Sequence, residues 1–184
     1  MKQTNKLLKI AVWLSIALFA IRCGLSWDEI RASFSLYNLF GFAGEAISIA
    51  SILTVFYERW LWRYIPFETT PKLKKHYKGS FVSSYDGKKR TAQLEIKQTL
   101  LTVHITFSTE ESKSNSLNAS IENINGELQL IYSYLNTTNA GVREHSPLHY
   151  GTAMLSASNA NKLIGQYYND RKCIGDMQFT AEEN

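Results

Sequence analysis

Hydrophobic residues fill two helix-length runs in the first third of the chain, whereas from about residue 76 they alternate one by one with polar residues. The chain therefore changes solvent partway along, from an apolar helical part to a part patterned like soluble β-structure. The first run, 7–21, follows Lys2 and Lys6 and contains Lys9. It is short for a hydrocarbon core of roughly 30 Å, which needs about 20 helical residues. Lys9 is thus expected to snorkel to the headgroups while Leu25 and Trp27 complete the far side. A signal peptide starts the same way, but no small-x-small cleavage site follows, and Arg22 before Cys23 spoils lipoprotein-type processing. The second run, 36–57, is long enough to span. Between the two, Ser26-Trp27-Asp28-Glu29 reads as a capping box that opens a short helix at the outer surface.

Within the second run, Gly44, Ser48 and Ser51 recur at helical spacing, which gathers small side chains on one face and allows close approach of another helix. Glu45 lies in the same apolar stretch. A charged carboxylate near mid-membrane costs on the order of a few kcal/mol, so Glu45 is expected to be protonated, bonded to another helix or facing a wet interior, unless it sits shallowly near one headgroup layer. Gly44, Glu45 and Ser48 are the candidate assembly residues. Trp60, Trp62 and Tyr64 then interleave with Arg59 and Arg63, the composition of a membrane–water boundary, and Lys72, Lys74, Lys75 and Lys78 follow. These cations and the N-terminal lysines flank the same side of a two-helix hairpin, while Arg22 and Arg31 of the connection are balanced by Asp28 and Glu29. Both termini are predicted to be cytoplasmic.

Pro66 and Pro71 bracket a break in pattern, and the period changes from helical to two. The stretch 91–97 sets Ala92, Leu94 and Ile96 against Gln93, Glu95 and Lys97. Leu101, Val103, Ile105 and Phe107 alternate with Thr102, His104, Thr106 and Ser108, and within 127–136 Leu128, Leu130, Tyr132 and Tyr134 face one way. Further strands are predicted at 77–85, 117–122, 150–156, 163–168 and 176–180, several of them separated by turns such as Asp86-Gly87 and Asn125-Gly126. About eight short strands, each with one apolar face, fit a small antiparallel barrel better than an open sheet, because closure removes exposed edges. The predicted fold is therefore a membrane-anchored all-β protein: a two-helix transmembrane region at 1–66, a linker at 67–75 and a cytosolic β-barrel at 76–184. A barrel of this size is either filled or holds one small ligand. Tyr132 and Tyr134 put hydroxyls on an otherwise apolar face, as packed core tyrosines or as a ligand wall.

With 184 residues there is room for one ordinary domain and an anchor. The mean hydropathy of -0.20 averages these two parts and hides both. A formal charge of +4 does not by itself point to nucleic acid, since many of the cations sit at the ends of the apolar runs; neither DNA nor RNA is an expected partner. Cys23 and Cys173 fall on opposite sides of the expected membrane, so no intrachain disulfide is expected. His145 and His149 have a metal-like spacing, but Pro147 argues against the helix that would align them. There is no Gly-rich phosphate loop, nucleophile elbow or paired Cys-x-x-Cys motif, so neither catalysis nor a metal or other cofactor is expected.

The two spans followed by a strand-rich domain resemble the SMODS-associated two-transmembrane β-barrel effectors of bacterial cyclic-oligonucleotide-based antiphage signalling systems (CBASS). The local motifs that carry the resemblance lie in the barrel: Tyr77-Lys78-Gly79-Ser80-Phe81, Ile96-Lys97-Gln98-Thr99, the serines Ser112, Ser114 and Ser116, Tyr132-Ser133-Tyr134-Leu135-Asn136, and His149-Tyr150-Gly151-Thr152. A closing hairpin carries Leu163, Gly165, Tyr167, Tyr168, Asp170, Arg171 and Gly175, ending in Met177 and Phe179. The resemblance implies a sensor and executioner in one chain. A cyclic dinucleotide made by a functional partner nucleotidyltransferase binds the barrel; the spans of neighbouring copies then form a homo-oligomer that breaches the bacterial inner membrane. Such a ligand offers stackable bases and two phosphates. On this reading Arg171 takes phosphate, Tyr132 and Tyr134 stack, and Gln98, Ser114 and Thr152 make polar contacts. A lipocalin-like carrier of an apolar molecule from the bilayer is the alternative, and it has no need of Arg171.

Overall fold

Apolar sequence without breakers propagates helix, and α1 (Lys2–Leu25) and α3 (Leu36–Arg59) each run 24 residues, with the short α2 (Trp27–Ala32) between them and a 3-10 turn at Leu61–Tyr64 after them. The computed structural model describes residues 2–144 and 146–182. Helix α1 extends beyond the apolar run 7–21 at both ends, so the first segment has the length its apolar core alone lacks. Both helices are long and apolar enough to cross a membrane, and only 6% and 11% of their most apolar windows are buried within the chain. Trp13 and Ile16 of α1 and Phe40, Ile52 and Val55 of α3 are all exposed. A surface so apolar suits lipid, not water.

Helix α3 meets α1 through Ala46 and Ala50, its two buried residues. Gly44, Ser48 and Ser51 lie on exposed positions, and a Cβ built on Gly44 would meet nothing within 4 Å. The small-residue stripe is thus open rather than packed on α1. Each serine hydroxyl donates to a carbonyl one turn back, Ser48 to Gly44 and Ser51 to Ile47, both at 2.8 Å, which satisfies it without a second helix. Glu45 is bonded to another helix: Arg22 Nε of α1 donates to its Oε2 at 3.2 Å, and the same guanidinium lies 4.4 Å from the Phe42 ring. The expected capping box does not form. Ser26 is the N-cap of α2, but its side chain caps nothing; its Oγ accepts from Arg22 Nη1 at 2.5 Å.

The chain divides into two compact units, one running to Glu68 and including Thr99–Leu101, the other comprising Thr69–Gln98 and the chain from Thr102 onward. The segment read as linker is anchored at both ends. In the first unit the buried Glu68 accepts from Lys6 Nζ at 2.7 Å and from the Tyr57 hydroxyl at 3.0 Å. In the second, Leu73 is 1% exposed in the barrel core.

Eight antiparallel strands follow, β1 (His76–Ser83), β2 (Lys89–Gln98), β3 (Val103–Ser108), β4 (Ser112–Ile124), β5 (Glu127–Thr138), β6 (His149–Asn159), β7 (Lys162–Asn169) and β8 (Ile174–Ala181). They pair in sequence order, and β8 returns to β1, closing the barrel. The Asn125-Gly126 turn has positive φ at both residues, 52° and 91°, the conformation of a two-residue hairpin. Inward alternation builds the core, with Ala92, Leu94, Ile96, Ile105, Leu130 and Leu155 all buried. Two apolar residues depart from the expected faces. Leu101 is 44% exposed because β3 starts only at Val103. Leu117 is 62% exposed because the β4–β5 register shifts between Ser116 and Asn118, leaving it as the extra residue of a bulge.

One end of the barrel is closed by hydrogen bonds. The Tyr77 hydroxyl donates to Ala160 O at 2.7 Å and accepts from Lys74 N at 2.9 Å. The other end is open.

Candidate ligand-binding site

Side chains at the open end, contributed by the end of β1, the start of β2, the end of β3, the start of β4, the end of β5, the start of β6 and the β7–β8 hairpin, surround a cavity of about 340 Å³. Its lining is aromatic below and polar above. Phe81, Phe107 and Tyr167 form one edge-to-face group, with Phe81 5.5 Å from Phe107 and 6.2 Å from Tyr167. On the β5 wall the Tyr132 and Tyr134 rings lie 5.9 Å apart. Two glycines seat the tyrosines. A Cβ at Gly151 would collide with the Tyr134 ring and the Tyr168 carbonyl, and one at Gly175 with the Tyr167 ring and the Val82 carbonyl. Without these glycines the rings could not approach the neighbouring strands so closely.

Of the residues proposed from sequence, Ser114, Tyr132, Tyr134 and Arg171 line this one cavity. Gln98 and Thr152 do not. Gln98 faces inward but at the closed end, where Oε1 accepts from Leu73 N at 3.0 Å and Nε2 donates to Pro71 O at 2.7 Å. Thr152 pairs in register with Ser133 and Tyr168 between the inward-facing Gly151 and Ala153, which places it on the outer face. A strand's face changes with every residue, so the inward members of His149-Tyr150-Gly151-Thr152 are His149, which lines the cavity, and the glycine.

The cavity also holds residues to which the sequence reading gave no ligand role: Arg90, Tyr167, Asn136, Phe81 and Phe107. Period two could have found two of them. The alternation that turns Ala92, Leu94 and Ile96 inward puts Arg90 inward as well, and the alternation through Leu130, Tyr132 and Tyr134 continues to Asn136.

Two guanidinium groups give the wall its charge. Arg171 Nη1 donates to Ser146 Oγ at 3.0 Å. Arg90 grips Asp86 with both ends, Nη1 to Oδ1 at 3.0 Å and Nη2 to Oδ2 at 2.5 Å. This pairing, helped by the Lys88 backbone N–H, pulls the Asp86 carboxyl down to about 2. Asp86 is therefore ionised throughout the physiological range and occupies the face of Arg90 that a phosphate would use. Glu111 adds a further carboxylate to the lining. Burial drives the Tyr132 and Tyr134 hydroxyls well above the ordinary tyrosine range, so both remain neutral donors. Asn136, 5% exposed, donates from Nδ2 to Ser112 Oγ at 3.2 Å and to Ser114 Oγ at 2.8 Å. Among the described residues no metal-binding cluster of His, Cys, Asp or Glu is found, and His145 lies outside them. Both cysteines are free, Cys173 in the cavity wall.

Aromatic faces, two cations, neutral hydroxyl donors and an amide in one concave site suit a small ligand that is planar in part and anionic in part. Residues 68–181 match the family profile described as Cap15, cyclic dinucleotide receptor domain. The chain is also 28% identical over 179 residues to "CD-NTase-associated protein 15" of Staphylococcus schleiferi, an alignment covering 95% of this chain and 94% of the relative.

Proposed function

The chain belongs to the Cap15 cyclic dinucleotide receptor family of CBASS effectors, and we propose that a cyclic dinucleotide bound in the open end of its barrel drives its helices to assemble and disrupt the bacterial inner membrane. The observation that carries this reading is the convergence of Tyr132, Tyr134, Ser114 and Arg171, with Arg90, on one cavity. The tyrosines stack on bases, and the Arg171 guanidinium answers phosphate, while Arg90, held by Asp86, adds positive charge to the wall. A carrier of alkyl chains would have to desolvate both arginines and Glu111 without pairing them to its ligand, so the wall disfavours that alternative. The protein acts as a receptor rather than a catalyst.

The helices supply the second half of the proposal. Both cross the inner membrane with the termini in the cytoplasm, as the distribution of lysines and arginines favours. The open Gly44–Ser48 face of α3 accepts a helix from a neighbouring copy, and Glu45 beside it contributes a polar contact. Ligand shifts the population toward the assembled state only if that state binds it more tightly. The test reconstitutes the full chain in vesicles of bacterial lipid and follows dye release and crosslinked oligomers as cyclic dinucleotides are added. The wild type is expected to oligomerise and leak on ligand addition. Gly44→Leu and Glu45→Gln are expected to reduce both responses while ligand affinity stays within about twofold; if both variants assemble and leak like the wild type, the α3 face has no such role.

A further inference from the structure

Resting on the cyclic dinucleotide reading above, we infer that Asn136 is the base-reading residue, accepting a hydrogen bond from a nucleobase N–H at its Oδ1. It follows Tyr132 and Tyr134 on the inward face of β5 and lies between Ser114 of β4 and His149 of β6 in register. Its Nδ2 already donates both of its hydrogens, to Ser112 and Ser114. Its Oδ1 is buried with no hydrogen-bond partner. Native proteins rarely leave such an atom unsatisfied, and the exceptions call for a functional reason.

The chemistry of the missing partner is constrained. An amide oxygen accepts and cannot donate, so it repels phosphate and requires a donor. The anionic parts of the ligand have Arg171 in the same cavity. A base stacked on a tyrosine carries its N–H groups in its own plane, at the ring edge, and Asn136 is the next inward residue of the same strand. The serine pair fixes the amide so that the acceptor is set before the ligand arrives, which makes Asn136 a specificity device and not only a packing residue.

The full chain in nanodiscs is titrated with cyclic di-AMP, cyclic di-GMP and cyclic UMP–AMP. Each is compared with a counterpart in which the base donor is methylated and one in which the ribose hydroxyl is methylated. In the wild-type protein, methylating the base donor of whichever probe binds is expected to weaken it by about tenfold or more, the size of a lost buried hydrogen bond. Asn136→Leu is expected to lose a similar factor and to become indifferent to base methylation, because the two changes remove the same bond. Independent, additive losses would overturn the assignment, as would coupling to the ribose methyl instead of the base methyl. The wild-type arm keeps the test decisive even if Asn136→Leu folds poorly. Absence of wild-type binding to all three unmodified probes would overturn the ligand class itself, and this assignment with it.

Discussion

Replacing Arg171 with Ala is expected to weaken cyclic dinucleotide binding by about 100-fold, the loss associated with deleting one member of a buried, charge-assisted pair. Arg171 stands in the β7–β8 hairpin with its guanidinium turned to the cavity wall, where Ser146 orients it. A phosphate meeting this fork gains paired hydrogen bonds that water or Lys cannot reproduce, so Arg171→Lys is expected to recover only part of the loss. Arg90 does not substitute for it, because Asp86 already holds that guanidinium at both ends. Thermal stability of the Arg171→Ala protein should stay near wild type, since no core apolar contact is removed. The readout is calorimetric affinity beside the melting temperature. An affinity change below about threefold would remove Arg171 from the site and favour the binding of an apolar ligand.

The second large effect is expected from Gly151→Val, which should destabilise the barrel by about 3 kcal/mol, near the upper end for overpacking a filled core. The added Cβ would collide with both the Tyr134 ring and the Tyr168 carbonyl. The ring can be displaced, but the carbonyl belongs to the β6–β7 ladder and cannot move without breaking the pairing of Thr152 with Tyr168. Ligand binding should fall together with stability, because the displaced ring enters the cavity. A double-mutant cycle separates the two clashes: adding Tyr134→Ala to Gly151→Val is expected to return about half the lost stability while leaving binding impaired. If the double variant is no more stable than Gly151→Val, the backbone clash alone accounts for the cost. If Gly151→Val melts like the wild type, the close approach at Gly151 places no constraint on the barrel.

Period-two alternation made the eight strands readable because a closed barrel with a filled core rewards every inward apolar residue equally. The start of β4 was hidden for the converse reason. At its inward positions Ser112 and Ser114 are polar because they face the cavity wall and hold Asn136. The bulge at Leu117 then breaks the count in the same strand. For the site, alternation assigns a side chain to a face but not to a height along the barrel. Tyr132, Tyr134, Ser114 and Arg171 fall at the open end, whereas Gln98, equally inward, lies at the closed one. Thr152 is one residue away from the inward face, and one residue is enough to put it outside. On α3, helical spacing gathered Gly44, Ser48 and Ser51 correctly on one face, but spacing does not say which face meets α1; Ala46 and Ala50 do.

The central claim is that the open end of the barrel receives a cyclic dinucleotide, and calorimetric titration of the full-length protein in nanodiscs tests it most directly. The injected panel contains cyclic dinucleotides, their linear counterparts and a fatty acid. Saturable binding of a cyclic species, with the linear dinucleotides and the fatty acid silent, is the expected result. Heat from the fatty acid alone, or from no cyclic species at all, would contradict it.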